Sequence, residues 1–442
     1  MRTRLVSLDR QVSLSSESVD FSAALAAALE ASPGTGLIAR GAGLSYTGAS
    51  FSPGGRSLST RGLGRILDID AEAGLVTVEA GATLGDLFVA LAPHHLFLPV
   101  QPGHPQITVG GAIASNVHGK NPWMDGTFVN QVESLLLWHP DRGLVEVSRE
   151  GDPEAVEAFE LTCGGLGLTG VIVRATLRVR RVPRLVAELR QLPVSSLGET
   201  LEVLAAHRSQ ADFLYAWNNL TRFDEGLGRG YVQVAKLCVD GPEAAVPRAL
   251  TGRLDPSSSR VRVGLFGRRS ARLVADVHER LGLGRAAGRK PLHRMLFPGR
   301  GFDSYFDAYG VEGFLGHMVL LPEARAAAYV VGLEHVMRRR RYPVIVCAAK
   351  AFGGETSLLR FDGRGFSFHF HVCATTRGRA LVADLEALAE DHGGKRALYF
   401  DSRIDAATLR RTWPGAGEFR ERLHRFDPAR RFHSELSIRL GL

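Results

Sequence analysis

The chain has 442 residues, 45% hydrophobic and 23% charged, an ordinary balance for a folded protein and enough length for two domains. Its formal charge of +8 comes from cations scattered along the whole sequence, which argues against nucleic acid as a partner. The cysteines Cys163, Cys238, Cys347 and Cys373 form no CxxC pair, and neither a signal-peptide core nor a run of about 18 apolar residues occurs, so a zinc centre, a disulfide framework and a transmembrane segment are not expected and the expected location is the cytoplasm. Ala23 to Leu29 reads as a helix, Gly36 to Ala39 and Leu75 to Glu79 as strands, and Thr83 to Leu91 as a helix. A glycine-rich stretch runs from Gly103 to Gly126, and Val132 to Trp138 and Val171 to Val179 read as further strands, an alternation that predicts an α/β first domain.

Beyond Pro183, as far as about Gly394, longer strands mix with helices, including Val344 to Cys347 and Gly365 to Cys373, which predicts an α+β second domain. The run Arg338 to Arg341 ends a helical pattern, where cations meet the negative end of the helix dipole; contact with an anionic membrane surface is the other use such a run has. The final RFDPARRFHSELSIRLGL reads as loop. In Gly365 to Cys373, strand alternation sends Phe366, Phe368, Phe370 and Val372 to one face, plainly core, and Ser367, His369, His371 and Cys373 to the other. Histidines and a cysteine are less usual on a solvent face than on a pocket wall.

Three glycine-rich motifs carry the chemistry. The first is Arg40, Gly41, Ala42, Gly43, Leu44, Ser45 and Tyr46, after the strand-like Leu37 to Ala39; its amides suit a pyrophosphate nest, although without a third glycine a structural turn explains it as well. The second, PGHPQITVGGAIASNVHGKN from Pro102 to Asn121, is built of small residues that let the backbone approach a bulky ligand, with Thr108, Ser115 and Asn116 adding short hydrogen-bonding side chains. The third, CGGLGLTGVI from Cys163 to Ile172, leads into a strand. Their order, framing VTVEAGATLGDL from Val76 to Leu87, is not an accident of loop composition.

With AYGVEGF (Ala308 to Phe314) and DSR (Asp401 to Arg403), these motifs resemble the PCMH-type FAD-binding flavoenzymes of the vanillyl-alcohol-oxidase superfamily, and within it the decaprenylphosphoryl-ribose oxidase family. The resemblance covers nearly the whole chain, strongly up to Pro183 and patchily after it. It implies an α+β architecture: a two-subdomain FAD-binding domain in residues 1–182, a substrate (cap) domain with an antiparallel sheet and flanking helices in 183–395, and a C-terminal segment, 396–442, returning to the FAD domain. It implies that FAD is wrapped by Arg40 to Tyr46, by Pro102, Gly103, His104, Thr108, Val109, Gly110, Gly111, Ser115, Asn116, His118, Gly119 and Asn121, and by Gly167, Gly170 and Ile172. The related alditol oxidases tether the flavin to a histidine where this chain has Leu44, so a non-covalent FAD is expected.

In the substrate half, the resemblance places Tyr46, His118, Lys120 and Lys350 around the substrate, and in a chain whose cations are nearly all arginine those two lysines stand out. Three departures mark a rebuilt pocket. The family's catalytic lysine before Asp-Ser-Arg is Phe400, its site cysteine on the FSFHFHVC strand is His369, and its glutamines before VLLP are Gly316 and Met318. Lys120, His118, His317, Met318, His371 and Phe400 are the expected substrate contacts. Oxidising a hydroxyl requires a base, and histidine needs the least pKa tuning; among Tyr46, His118, Lys350, His317, His369 and His371 we favour His369, which the resemblance places on the pocket lining and which lies on the polar face of its strand, with Tyr46 and Lys350 as further catalytic candidates.

The expected function is FAD-dependent oxidation of a hydroxyl on a sugar, polyol or glycosidic natural-product intermediate, with oxygen or another oxidant as electron acceptor. Two alternatives are oxidation of a polyprenyl-phosphate sugar and, because the lysine is missing, a flavin-binding protein without turnover.

Overall fold

A computed structural model describes residues 2–30, 34, 36–250, 262–285, 287–298 and 303–442 and is a mixed structure of helices and sheets. The first part of the chain builds two sheets. In one, Arg2–Val6 pairs antiparallel with Ser13–Asp20, which runs parallel to Arg56–Ser59, and that strand runs parallel to Leu37–Arg40 at the edge. The other is antiparallel, in the order Ile66–Asp70, Leu75–Glu79, Val171–Arg178, Val132–His139, Gly143–Ser148. The helix Leu84–Leu91 starts on a capping box, Thr83 accepting from the Asp86 amide while the Asp86 carboxylate accepts from the Thr83 amide. Its buried Leu84, Leu87 and Leu91 recur at helical spacing and join a core that also takes in Val109, Ile113 and Ile172.

The later part forms one eight-stranded antiparallel sheet, in the order Gly288–Pro291, Val186–Val194, Gly230–Leu237, Phe213–Asn218, Val346–Phe352, Gly365–Cys373, Phe314–Pro322, Lys395–Arg396. Helices Leu197–His207, Glu323–Arg340 and Thr376–Asp391 cover one face, where Phe366, Phe368, Phe370 and Val372 pack against Tyr329, Leu333 and Leu385. The opposite face turns toward the glycine-rich loops of the first part.

Two expectations need correction. The strand expected over Val344 to Cys347 runs Val346–Phe352 instead, while Val344 makes an isolated bridge to Leu220. The C-terminal stretch read as loop contains the helix Glu435–Leu440, because Ser434 and Ser437 form a capping box and Gly441, at φ 68°, closes it. This segment packs on the first sheets: the Leu37 amide donates to the Arg431 carbonyl, the His433 amide to the Leu37 carbonyl, and Phe432 packs with Trp138. The Arg338–Arg341 run meets acids on neighbouring elements, Arg340 at 2.6 Å from Asp384 and Arg341 at 2.8 Å from Asp224.

Candidate active site

The register of the large sheet sets the site. His369 lies opposite Met318 on one side and Ala348 on the other, His371 opposite Gly316 and Val346, and Ser367 opposite Leu320 and Lys350. On one strand, residues two apart share a face, so Lys350, Ser367, His369, His371, Gly316 and Met318 form one inward surface. Trp217, opposite Ala348, and Tyr215, on the same strand face, extend it.

The first glycine motif closes against this surface. The Tyr46 ring lies 4.1 Å from that of Phe400, 5.1 Å from Phe314 and 5.5 Å from His371, centroid to centroid. A Cβ on Gly316 would come within 2.8 Å of Tyr46 Cδ2 and 2.9 Å of the Phe400 ring, so Gly316 and Phe400 are sterically linked. The Tyr46 ring, the Phe400 ring and the Phe400 carbonyl together leave the neighbouring strand no room for a side chain at Gly316. From the second motif, the Lys350 ammonium donates to the Gly119 carbonyl at 2.8 Å, Lys120 to the Gln101 carbonyl at 3.3 Å, and His118 Nδ1 lies 3.3 Å from the Tyr399 hydroxyl.

His118, Lys120, Lys350, His369 and His371 thus gather five basic groups, and no carboxylate among the described residues bonds to any of them. Burial lowers Lys350 to about 7. Burial and then Lys350 lower Lys120 well below the usual ammonium range and His369 to about 3. Burial again, followed by Lys350, His369 and Lys120, holds His118 far down, and burial with His369 does the same to His371. Burial thus leaves the imidazoles uncharged and the amines easily deprotonated, with nitrogen lone pairs free to accept hydrogen bonds. Tyr46 moves the other way: burial and then Asp9 raise its pKa, so it keeps its proton and is a poor base, against the expectation from sequence.

The loops fit FAD. Gly41 approaches Thr108 so closely that a Cβ would lie 2.2 Å from its hydroxyl, bringing the first two motifs into contact. Thr108 caps the helix Val109–Ala114, with Gly110 against Ala80 and Gly111 exposed. The backbone of Arg40 to Tyr46 and of Gly103, His104 and Gly110 stays partly accessible, as does Ser115, leaving a glycine-lined surface beside the basic cluster. These residues and Gly119 would hold the cofactor. Gly167 and Gly170, at φ 79° and 139°, shape the third motif; a Cβ on Gly170 would lie 2.4 Å from the Trp138 carbonyl.

Other expected residues do different work. His317 is fully buried on the opposite face of its strand, 3.4 Å from Asp401, which also meets Arg396 at 3.2 Å and Arg403 at 3.1 Å. It is a member of an ion network behind the sheet, on the face away from His369 and His371. Asn116, at φ 43°, donates to the Thr127 hydroxyl and accepts from the Val129 amide, and Asn121 donates to the carbonyls of Arg208 and Ala211, so both amides brace loops. Ile172 is buried in the main core. Sequence reasoning missed Tyr305, Tyr309 and Tyr399, which bond to the site histidines or to each other; only AYGVEGF, which contains Tyr309, had been singled out.

This arrangement, a glycine-lined cofactor surface facing a basic pocket on an antiparallel sheet, is that of a flavin-dependent enzyme. A family model described as "FAD binding domain" matches residues 16–148. The chain is 28% identical over 431 residues to the decaprenylphosphoryl-beta-D-ribose oxidase of Mycolicibacterium smegmatis, covering 92% of this chain and 90% of that protein. It is 31% identical over 395 residues, covering 81% of this chain and 100% of the other, to an uncharacterized protein in the mprA 5' region of Streptomyces coelicolor. A shorter match, 36% over 140 residues, is to the mitochondrial L-galactono-1,4-lactone dehydrogenase 2 of Oryza sativa subsp. japonica, of which it covers 23%. The chain belongs to the family of FAD-dependent oxidoreductases with a PCMH-type FAD-binding domain. It is an enzyme that uses FAD to oxidise CH–OH groups, on sugar-like substrates.

Proposed function

We propose that this enzyme oxidises a hydroxyl of a sugar, polyol or glycosidic natural-product intermediate, with FAD held non-covalently and His369 taking the hydroxyl proton. The observation that carries this is the position of His369: the middle of the inward sheet face, in the row next to Lys350 and across from the glycine motifs, partly accessible, with Nε2 bonded to His371 and Nδ1 in no hydrogen bond among the described residues. Bound FAD supplies the two-electron hydride acceptor. Neutral His369 takes the proton, and Lys350 and Lys120 orient the oxygens of the substrate. Met318, Phe400 and Trp217 wall the pocket with apolar surface and exclude water.

The division into residues 1–182, 183–395 and 396–442 is part of this reading, supported by the sheets and by the packing of the last segment on Leu37 and Trp138. So are a cytoplasmic location and oxygen or another oxidant as acceptor; no helix among the described residues is long and apolar enough to cross a membrane. A second reading, a polyprenyl-phosphate sugar as substrate, has the similarity to the mycobacterial oxidase in its favour.

The test is anaerobic titration of the yellow holoenzyme with free sugars, alditols, glycosides and a polyprenyl-phosphate pentose. Bleaching by a glycoside or polyol supports the first reading and bleaching by the lipid-linked sugar alone supports the second. A flavin that dithionite reduces but no member of the panel bleaches would reject both.

A further inference from the structure

His369 does not stand alone. Its Nε2 lies 2.9 Å from Nε2 of His371, a pairing in which one ring donates and the other accepts. His371 Nδ1 lies 3.0 Å from the Tyr305 hydroxyl, which is bonded in turn to the Tyr309 hydroxyl. The two histidines share a strand face, so their rings meet edge to face at 4.6 Å, and Tyr305 reaches them from the helix Asp303–Asp307, far away in sequence. A neutral imidazole carries one proton, so the state of each nitrogen in such a chain dictates the next. If His369 donates from Nε2, its Nδ1 is a bare lone pair; His371 then accepts at Nε2 and donates from Nδ1 to Tyr305. The reverse polarity puts a proton on His369 Nδ1 and makes it useless as a base. The surroundings favour the first polarity. Nε2 is taken by His371, and Lys350, paired with Ser367 in the adjacent row of the same face, acts on His369 as a neighbouring cation; beside an ammonium a bare lone pair at the free nitrogen is favoured over an N–H.

We propose that His371 and Tyr305 are positioning residues that hold His369 in its Nε2-protonated tautomer, so that Nδ1 meets the substrate hydroxyl as the proton acceptor. This rests on the reading of His369 as the base. When the hydroxyl O–H bond breaks, its proton bonds to Nδ1 and its electron pair becomes the second carbon–oxygen bond as the carbon gives up its hydride to bound FAD. The histidine pair then holds one extra proton, shared across the Nε2–Nε2 hydrogen bond. Burial holds His369 at about 3 and His371 well below the usual imidazole range, so both rings start neutral at pH 6, where Lys350 is still an ammonium.

The experiment is long-range proton–nitrogen correlation NMR on the FAD-loaded protein labelled with 15N-histidine at pH 6, assigned with His369→Gln and His371→Gln. The expected result is a single Nε2–H tautomer for His369 and a single Nδ1–H tautomer for His371. In Tyr305→Phe, with FAD retained, His371 should become a tautomer mixture, and flavin reduction by the sugar that bleaches the parent should slow by about tenfold or more. An Nδ1–H tautomer at His369, or tautomers unchanged in Tyr305→Phe, overturns the proposal; if Tyr305→Phe loses FAD, the parental spectrum alone decides. A parental rate of flavin reduction in His369→Gln overturns the base reading itself, and this proposal with it. The wrong tautomer together with a slow His369→Gln leaves the base reading standing and overturns only the positioning role.

Discussion

Single residues set the chemistry through burial more than through type. A histidine in water titrates near neutrality, and from sequence a base at this position implies a pH limb at about 6 to 7. In the structure His369 is held at about 3, first by burial and then by Lys350, so it is neutral at every practical pH. The group that titrates near 7 is Lys350. Its pKa is depressed below the unfolded value, so the ammonium is present below about 7 and lost above. If that cation orients substrate, kcat/KM falls as pH rises through about 7; Lys350→Met should flatten the limb, and His369→Ala should keep it. His369→Ala should slow flavin reduction by about 10²- to 10⁴-fold in single-turnover measurements, the usual worth of general-base catalysis. A parental rate would reassign the role to Lys350. Lys120→Ala and Lys350→Ala should keep nearly full FAD absorbance while raising KM or lowering kcat/KM; full activity in both would show that they only serve the fold. His369 and His371 share a hydrogen bond, so a substitution at either perturbs the other.

At the scale of elements, the strand Gly365–Cys373 divides stability from chemistry by alternation. Phe368 is wholly buried against Tyr329 on the helix side, so Phe368→Ala should cost about 3–5 kcal/mol in denaturant unfolding. Ser367, one residue away on the pocket side, should cost far less as Ala. Equal losses would mean that the two faces are not distinct. The same alternation exposes an inconsistency that the sequence already contained: His317 and Met318 are neighbours on one strand and cannot both line one pocket. Met318 faces His369, and His317 goes to Asp401. The Asp-Ser-Arg motif likewise turns out to be structural, with Asp401 joining Arg396, Arg403 and His317 and Ser402 donating to Asp9 at 2.8 Å.

Across the whole molecule, the site exists only where the large sheet meets the glycine loops of the first part. Leu44 offers no nucleophile to the flavin, so acid or heat precipitation should leave the yellow colour in the supernatant; colour in the pellet would contradict the non-covalent reading. The sequence by itself determined the family and, through that resemblance, the cofactor, because the motifs that carry it are written in residues a few positions apart. It also carried most strands and the core face of Gly365–Cys373. Only the tertiary structure decided that Phe400 and Gly316 occupy one space, that Asn116 and Asn121 brace loops, and that Tyr305 bonds to His371 from 66 residues away. Those facts depend on desolvation and on contacts between distant segments, which arise only once the sheet has closed over the glycine loops.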